Sequence, residues 1–402
     1  MKFRKVEGGV TAAKGFSAAG ISCGIKKEGK KDLALLYSHR PAAAAGMFTK
    51  NRFQAAPVIV TRRHLAKGSA RAVIINSGNA NACTGEQGLA AARRMAELAA
   101  APLGLLPEEV LVASTGVIGV PLPLEKIEAA IPALVGELSP AKGQEAAEAI
   151  LTTDLVVKTV AYQLEIGGRT VTVGGMCKGS GMICPNMATM LSFITTDCAI
   201  AAPLLQKALK YTVERSYNLI TVDGDTSTND MVLALANGAA GNLRIAGENE
   251  DYHRFLTVLQ RVNTELSQKI VRDGEGATKF LEVTVKNAAS FADGKKLAMS
   301  VLNSNLVKTA FFGEDANWGR IVSALGQTDV PFDPAKVDVF LEDLQVAAGG
   351  QGVPFDEAQA AAILARKDIK ILIDMHQGEE TVTAWGTDLS YEYVRINASY
   401  RS

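Results

Sequence analysis

The chain has 402 residues, 48% of them hydrophobic and 21% charged, with 42 Lys and Arg balanced by 42 Asp and Glu. That length favours two or more lobes over one core, and zero net charge without a long Lys/Arg block excludes the electrostatic footprint of a nucleic-acid binder. Five scattered cysteines and a start (MKFRKVEGGVTAAKGF) without a signal-length apolar stretch lead us to expect a cytoplasmic protein with free thiols.

Taken in order, residues 71–78 (RAVIINSG) read as a buried strand, NANACTGEQG as a loop and LAAARRMAELAA as a helix. The pattern repeats with PEEVLVAS (107–114), the turn TGVIGVPLP and a helix from near Leu124. A third helix around Ala141 to Ile150 leads into the strands TVAYQLEIGG and RTVTVGGM. Beyond residue 200 come a helix (APLLQKALKYTVERSYN), two strand-like runs (ITVDG and DMVLALANGA) and a charged helix (NEDYHRFLTVLQRVNTELSQKIV). The alternating strand KFLEVTVKNA follows, and the last hundred residues mix a helix near Asn305 with strands VDVFLED, KDIKILIDM, ETVTAWGTD and YEYVRIN. Strands and helices intermix without strict βαβ order, so α+β is expected rather than a doubly wound parallel sheet. Lobe boundaries are expected near 247–253 or 293–296.

The centre carries an unusual stretch, CKGSGMICPNMATMLSFITTDC (177–198), uncharged from Gly179 to Thr196. Its length suits a membrane span, but Gly179, Ser180, Gly181, Pro185 and Asn186 exclude one. It reads instead as a glycine-rich loop, a Pro185-Asn186 turn and a strand, with Leu191 and Phe193 on one face and Met190, Ser192 and Ile194 on the other. A threonine, Thr189, therefore stands at the start of a buried strand behind a small residue, Ala188. A threonine hydroxyl is a poor nucleophile without a base. If the chain is cut before Thr189, the new α-amino group, with an ordinary pKa of roughly 7.7–8.0, can serve as that base. On these residues alone, a plain strand start remains the more economical reading.

The four histidines are scattered, which leaves Ser-His-Asp and Cys-His mechanisms without support in the sequence. Cys177, Cys184 and Cys198 lack the paired spacing of a zinc site. TVDGDTSTND (221–230) has Ala234 where a calcium loop needs its glutamate, so it reads as a side-chain-bonded turn. INSGNANACTGEQG contains no G-x-G-x-x-G and reads as a polar loop closing a strand, with ligand contact by Asn76 or Asn79 left open. Three further features allow chemistry. Lys178 lies in uncharged surroundings, where an ammonium can bind a carboxylate or tune an amine. The Ser114-Thr115-Gly116 turn can present N–H groups to an oxyanion. Glu275 sits between two glycines in RDGEGATKF, open to close ligand approach.

Together, KGSGMICPNMATMLSFITTD, INSGNANACTGEQG, VASTGVIG, VDGDTSTND, RDGEGATK, GEDANWGRI and RINASYRS resemble, from about Gly8 to Ser402, the glutamate N-acetyltransferase (ornithine acetyltransferase) family of arginine biosynthesis. The resemblance implies self-cleavage between Ala188 and Thr189 into an α chain (1–188) and a β chain (189–402). It implies a layered αββα-type sandwich in two lobes, and a heterotetramer built as a dimer of α/β pairs. It implies Thr189 as nucleophile, Thr115 and Gly116 as the oxyanion hole, and substrate contacts from Thr152, Lys178, Thr189, Glu275, Asn397 and Ser402. The family often ends in threonine where this chain has Ser402, and the hydroxyl is kept. The implied reaction moves acetyl from N-acetylornithine to glutamate through an acetyl-threonine, without metal or organic cofactor, and leaves open acetyl-CoA as a second donor. A self-cleaving amidase or aminopeptidase is the alternative with similar chemistry, and an uncleaved small-ligand binder is the non-enzymatic one. The expected partners are small-molecule substrates and the chain's own two fragments, with neither nucleic acid nor membrane.

Overall fold

The computed structural model describes residues 3–184 and 190–399; Ala188, Thr189 and Ser402 lie outside the described residues. Strands β1 (Arg4–Lys5), β2 (Phe16–Ile21), β3 (Leu33–Phe48), β4 (Ser69–Asn79), β5 (Val110–Val117), β6 (Lys158–Ile166), β7 (Arg169–Lys178), β8 (Leu191–Thr196) and β9 (Met231–Ala236) share one sheet. Its order is β1-β6-β7-β8-β9-β3-β4-β5, with β2 on β3. Only β4–β5 and β8–β9 pair in parallel among the described residues, so the sheet is mixed, as α+β requires. Helices α1 (Ala56–His64), α2 (Gly85–Leu103), α3 (Leu124–Gly136), α4 (Gly143–Ala149), α5 (Ala202–Glu214) and α6 (Glu250–Arg272) surround it.

The sheet doubles back along β3, whose 16 residues pair first with β4 and then, after a register shift between Tyr37 and Ala42, with β9. The side-chain alternation of its strands then divides three cores. Leu36, Val73, Ile75 and Leu111 from one layer meet Met176, Leu191, Phe193 and Leu233 from the other, all buried. The opposite face of β3–β5 (Leu35, Ile74, Val112) packs with Met95 of α2 and Ile127 of α3. The opposite face of β7–β9 (Cys177, Ile194, Ala234) packs with Leu209 of α5 and Leu266 of α6. This is the αββα layering expected, and β8 carries the facial division read from TMLSFITT.

Helix α6 illustrates why these segments are helical. Asn249 caps it by accepting from Tyr252 N at 3.0 Å, Glu250 and Asp251 occupy the first turn, and Lys269 and Arg272 the last, all in agreement with the helix dipole. Phe255, Leu259, Val262, Leu266 and Ile270 recur at helical spacing and are buried.

The second lobe holds a six-stranded sheet of β10 (Phe280–Ala288), β11 (Asp338–Leu341), β12 (Leu344–Ala348), β13 (Gln351–Gly352), β14 (Asp368–Asp374) and β15 (Glu380–Thr387) in the order β13-β12-β11-β14-β10-β15. Helix α7 (Phe291–Asn303) covers β10 and β15, and α8 (Asn305–Phe312), α9 (Trp318–Gly326), α10 (Glu357–Leu364) and α11 (Tyr391–Ser399) complete it. Residues 247–253 run into the start of α6 and 293–296 lie inside α7; the chain passes between the two sheets after α6, before β10. None of the five cysteines forms a disulfide. No described helix is long and apolar enough to cross a membrane.

Two expected strands are corrected. ITVDG makes only an isolated bridge, Ile220 to Trp385: Thr221 N and Val222 N donate to the carbonyls of two different neighbours, Trp385 and Ile183, at 2.9 and 2.7 Å, and the chain then turns as Gly224 N donates to Thr221 Oγ1 at 3.3 Å and Asp225 N to Asp223 Oδ1 at 3.2 Å. YEYVRIN is helix α11, its first turn held by Tyr393 N donating to Ser390 Oγ at 3.3 Å and its flank by the Glu392–Arg395 pair at 2.7 Å. Strands β2 and β3 and helix α1 were not legible as a pattern. The Ala- and Gly-rich run AAAAGMF within β3 lacks the β-branched signature of a strand.

Candidate active site

Register places the site. Lys178, the last residue of β7, pairs with Leu191, the first of β8, and Leu191 pairs with Met231, the first of β9. The charge-free loop therefore opens and closes at one level of the sheet, beside the start of β9. A cavity lies there. Its walls carry Thr115, Gly116, Thr152, Lys178, Glu275 and Asn397, together with Met190, which follows Thr189 in the chain. All six described residues expected at the site thus converge, although they come from segments up to 282 residues apart.

The turn expected at Ser114-Thr115-Gly116 is corrected: parallel pairing of Ser77, Gly78 and Asn79 with Thr115, Gly116 and Val117 carries β5 on to Val117, so Thr115 and Gly116 stand at the end of a strand. That strand end rests on a buried polar scaffold. Ser114 Oγ donates to Asn76 Oδ1 at 2.6 Å, and Asn76 Nδ2 to the Asn79 carbonyl at 2.8 Å. Asn229 Nδ2 reaches the carbonyls of Ala80 and Ser114 at 2.6 and 2.8 Å. Asn79 spends its own amide on the Val120 and Pro121 carbonyls at 3.1 Å. Asn76 and Asn79 therefore hold backbone, which satisfies buried groups that would otherwise be costly. Gly116 adopts φ +132°, and a Cβ there would fall 2.3 Å from the Gly78 carbonyl carbon, so no other residue fits.

On the opposite wall, Glu275 accepts from Asn397 Nδ2 at 2.8 Å and its backbone N–H donates to the Ser180 carbonyl at 3.0 Å. The close approach expected at its flanking glycines is made by the protein itself. A Cβ on Gly276 would meet Tyr393 N at 2.4 Å, so α11 docks directly on this turn, fastened by Ser390 Oγ donating to the Gly276 carbonyl at 2.6 Å. A Cβ on Gly181 would lie 2.3 Å from the Glu275 carboxyl, so the glycine-rich loop leaves room for that carboxylate.

Three further groups shape the cavity and were not singled out as site residues from the sequence. Asp223 fixes the loop by accepting from Met182 N at 2.6 Å and Ile183 N at 2.8 Å. Burial pushes its carboxyl up, against those N–H donors, which lower it. Tyr393 donates to Asp223 Oδ2 at 3.3 Å; burial, then the neighbouring carboxylates, push its phenol up, so it is a neutral donor at physiological pH. Behind Lys178 lies Asp154, fully buried, accepting from Lys158 Nζ and Gly179 N, both at 2.7 Å, and from Thr152 N at 3.0 Å. Burial opposes charge on Asp154, yet the Lys178 and Lys158 ammonium groups outweigh it and hold the carboxyl well below the usual range. The sequence signal for Asp154 was the TTD run itself, with Thr152 inside it.

The cavity wall sorts by charge: Lys178 on one side, and Asp223, Asp225, Asp230 and Glu275 elsewhere. Such a wall suits a zwitterionic ligand that brings a carboxylate to Lys178 and an ammonium to the acids. Among the described residues no group of three or more His, Cys, Asp or Glu side chains is arranged to hold a metal ion.

Comparisons with known proteins agree with the resemblance read from the motifs. The ArgJ family model matches residues 17–402. The arginine biosynthesis bifunctional protein ArgJ of Symbiobacterium thermophilum is 57% identical over 397 residues, covering 98% of this chain and 99% of that protein. The crystal structure of the protein of that name from Bacillus halodurans is 43% identical with a TM-score of 0.51, covering 53% of this chain and 100% of that chain. An ornithine acetyltransferase from Mycobacterium tuberculosis, crystallised with ornithine, is 46% identical with a TM-score of 0.44, covering 46% of this chain and 100% of that chain.

Proposed function

The chain belongs to the ArgJ family, and on that premise we propose that it is a self-cleaving acetyltransferase of arginine biosynthesis that moves acetyl from N-acetylornithine to glutamate. The observation that carries this reading is the single cavity in which Thr115, Gly116, Thr152, Lys178, Glu275 and Asn397 meet beside Met190. The Bacillus halodurans structure adds support. That chain matches over its whole length yet covers 53% of this one, and the segment from Thr189 to Ser402 is 214 of 402 residues.

Before the proposed cycle, water hydrolyses the peptide bond between Ala188 and Thr189 once, leaving a carboxylate on Ala188 and a free amine on Thr189. The Thr189 hydroxyl attacks the acetyl carbonyl of N-acetylornithine while its own amine takes the proton. Thr115 and Gly116 stabilise the resulting oxyanion, a contribution typically of about 2.7–4 kcal/mol per donor. The carbon–nitrogen bond breaks, ornithine leaves with the proton, and acetyl remains on Thr189. The neutral glutamate amine then attacks this ester, the bond between the acetyl carbon and the Thr189 oxygen breaks, the proton shed by the amine passes through the Thr189 amine to that oxygen, and N-acetylglutamate departs. Lys178 takes the α-carboxylate of either substrate, with Glu275, Asn397, Thr152 and the terminal Ser402 completing the contacts. No organic cofactor or metal enters this cycle. Acetyl-CoA is the second donor to test, and the assembly proposed is a dimer of α/β pairs in the cytoplasm.

The deciding experiment is Thr189→Ala. The wild type is expected to run as two chains starting at Met1 and Thr189, and the variant as one chain without transferase activity. A cleaved, active variant would overturn the mechanism. Release of acetate from N-acetylornithine independent of glutamate would instead favour the amidase reading. Native mass reports the assembly, and transfer from acetyl-CoA to glutamate reports bifunctionality.

A further inference from the structure

Among the described residues Lys178 is held by charge and not by hydrogen bonds. Its side chain is 9% exposed and lines the cavity, with its ammonium 3.8 Å from Asp154 Oδ2, outside hydrogen-bond reach. Among the described residues the ammonium has no other recorded partner. A cation buried this deeply with its donors unspent points to an anionic ligand in the cavity.

Behind it runs a buried chain of alternating sign. Asp154 meets Lys158, and Lys158 Nζ donates to Asp273 Oδ2 at 2.5 Å. Asp273 in turn accepts from the N–H of Leu155 at 3.0 Å, and Ser180 Oγ donates to the Asp273 carbonyl at 2.6 Å. Two ammoniums and two carboxylates cancel, and the hydrogen bonds of Asp154 go to Lys158 and to the backbone N–H groups of Thr152 and Gly179, with none to the Lys178 ammonium. Gly179 borders Lys178, so one carboxylate sets both backbone segments on this wall.

We propose that Asp154 is a positioning residue for substrate-carboxylate recognition, which holds the Lys178 ammonium at the cavity wall while leaving its N–H donors to the ligand. Lys158 has the separate task of keeping Asp154 ionised. The proposal rests on the reading of Lys178 as the cation that binds the α-carboxylate. The other titratable groups around this pair are Lys26 from the loop before β3, Cys177 beside Lys178 on β7, and Asp273 and Glu275 from the turn after α6. Burial pushes the Cys177 thiol up to about 12, so it stays neutral, and lowers the Lys26 ammonium to about 8, so Lys26 needs its own control.

The test is steady-state transfer from N-acetylornithine to glutamate between pH 6 and 10, in the cleaved enzyme. Asp154→Asn keeps the side-chain shape and removes the carboxylate that stands between the Lys178 and Lys158 ammonium groups, leaving Lys158 paired with Asp273 alone. Expected are KM values raised about 30-fold or more for both substrates, kcat within about 3-fold, and an alkaline limb of kcat/KM moved to lower pH. Lys158→Met leaves Asp154 facing Lys178 alone, so its limb stays at or above the wild-type pH. Lys26→Met removes the nearby lysine and is expected to leave the Asp154→Asn shift in place when the two are combined. Wild-type-like KM and limb in Asp154→Asn, or the same downward shift in Lys158→Met, would overturn the proposal; should Asp154→Asn fail to fold, the Lys158→Met limb decides. Glutamate α-amide separates this from the underlying reading. Equal use of the amide and glutamate by the wild type sinks the role of Lys178, whereas discrimination against the amide with an indifferent Asp154→Asn sinks only the role of Asp154.

Discussion

Gly181→Ala perturbs the site through one added methyl group. Its backbone lies outside the left-handed region, so alanine is sterically acceptable to the chain itself. What the new Cβ meets is the Glu275 carboxyl, at 2.3–2.4 Å from its carbon and both oxygens, the far end of a flexible side chain. Glu275 must swing away and lose the 2.8 Å bond from Asn397. A hydrogen bond to a charged group is worth about 1.5–3 kcal/mol, which corresponds to about 10- to 100-fold in binding. The expected result is a KM for N-acetylornithine raised by about that factor, with a melting temperature within a few degrees of wild type. Gly276→Ala is the contrast. There φ is +66° and the Cβ meets Tyr393 N at 2.4 Å, so α11 itself must move and stability falls with activity. The reasoning fails if Gly181→Ala binds substrate normally, or if it destabilises the fold as much as Gly276→Ala.

Asn229→Ala strips donors from the buried Ala80 and Ser114 carbonyls, and denaturant unfolding should show a loss of about 2–4 kcal/mol together with slower transfer from the loosened end of β5 at Thr115 and Gly116. Lys308 is fully enclosed by the Val222 and Thr387 carbonyls at 2.8 and 2.6 Å, and burial lowers its ammonium from 10.5 to about 8. Between those values the unfolded chain binds more protons than the folded one, so this lysine makes stability rise with pH from about 8 to about 10.5. Relative to Lys308→Met, the wild type should gain on the order of 3 kcal/mol across that window, and a flat difference in unfolding free energy would refute it. Phe255→Ala, at a fully buried position of α6, should cost about 3–5 kcal/mol in the same assay while leaving KM unchanged in the folded fraction.

Legibility divided along one line: whether the deciding interactions lie within a short stretch of chain. The strand after Thr189 and the helix over 250–272 could be read, because periodicity is a local property. Thr115 and Gly116, expected in a turn, are held in β5 by pairing with β4, and the uncharged stretch around Lys178 gave no sign of the Asp154 carboxylate beside it in space. The same locality explains the two false strands. ITVDG and YEYVRIN carry β-branched and aromatic residues, but Asp223 bonds the 182–183 backbone and α11 packs on Gly276, neighbours that no window around them contains.

What the amino-acid sequence determined by itself was the α+β class of fold, the family with the αββα layering it implies, and six of the residues that line the cavity, since seven motifs and several amphipathic segments survive in any one-dimensional reading. Tertiary structure alone decided the environment of those groups. Asp154 and Asp273 lie 119 residues apart, yet both bond Lys158; Asp223 and Tyr393 are separated by 170 residues. Such pairs are selected by strand register and by the docking of α11 on the 273–277 turn. A carboxylate's charge state depends on which ammonium groups and N–H donors that packing delivers within a few ångströms of it.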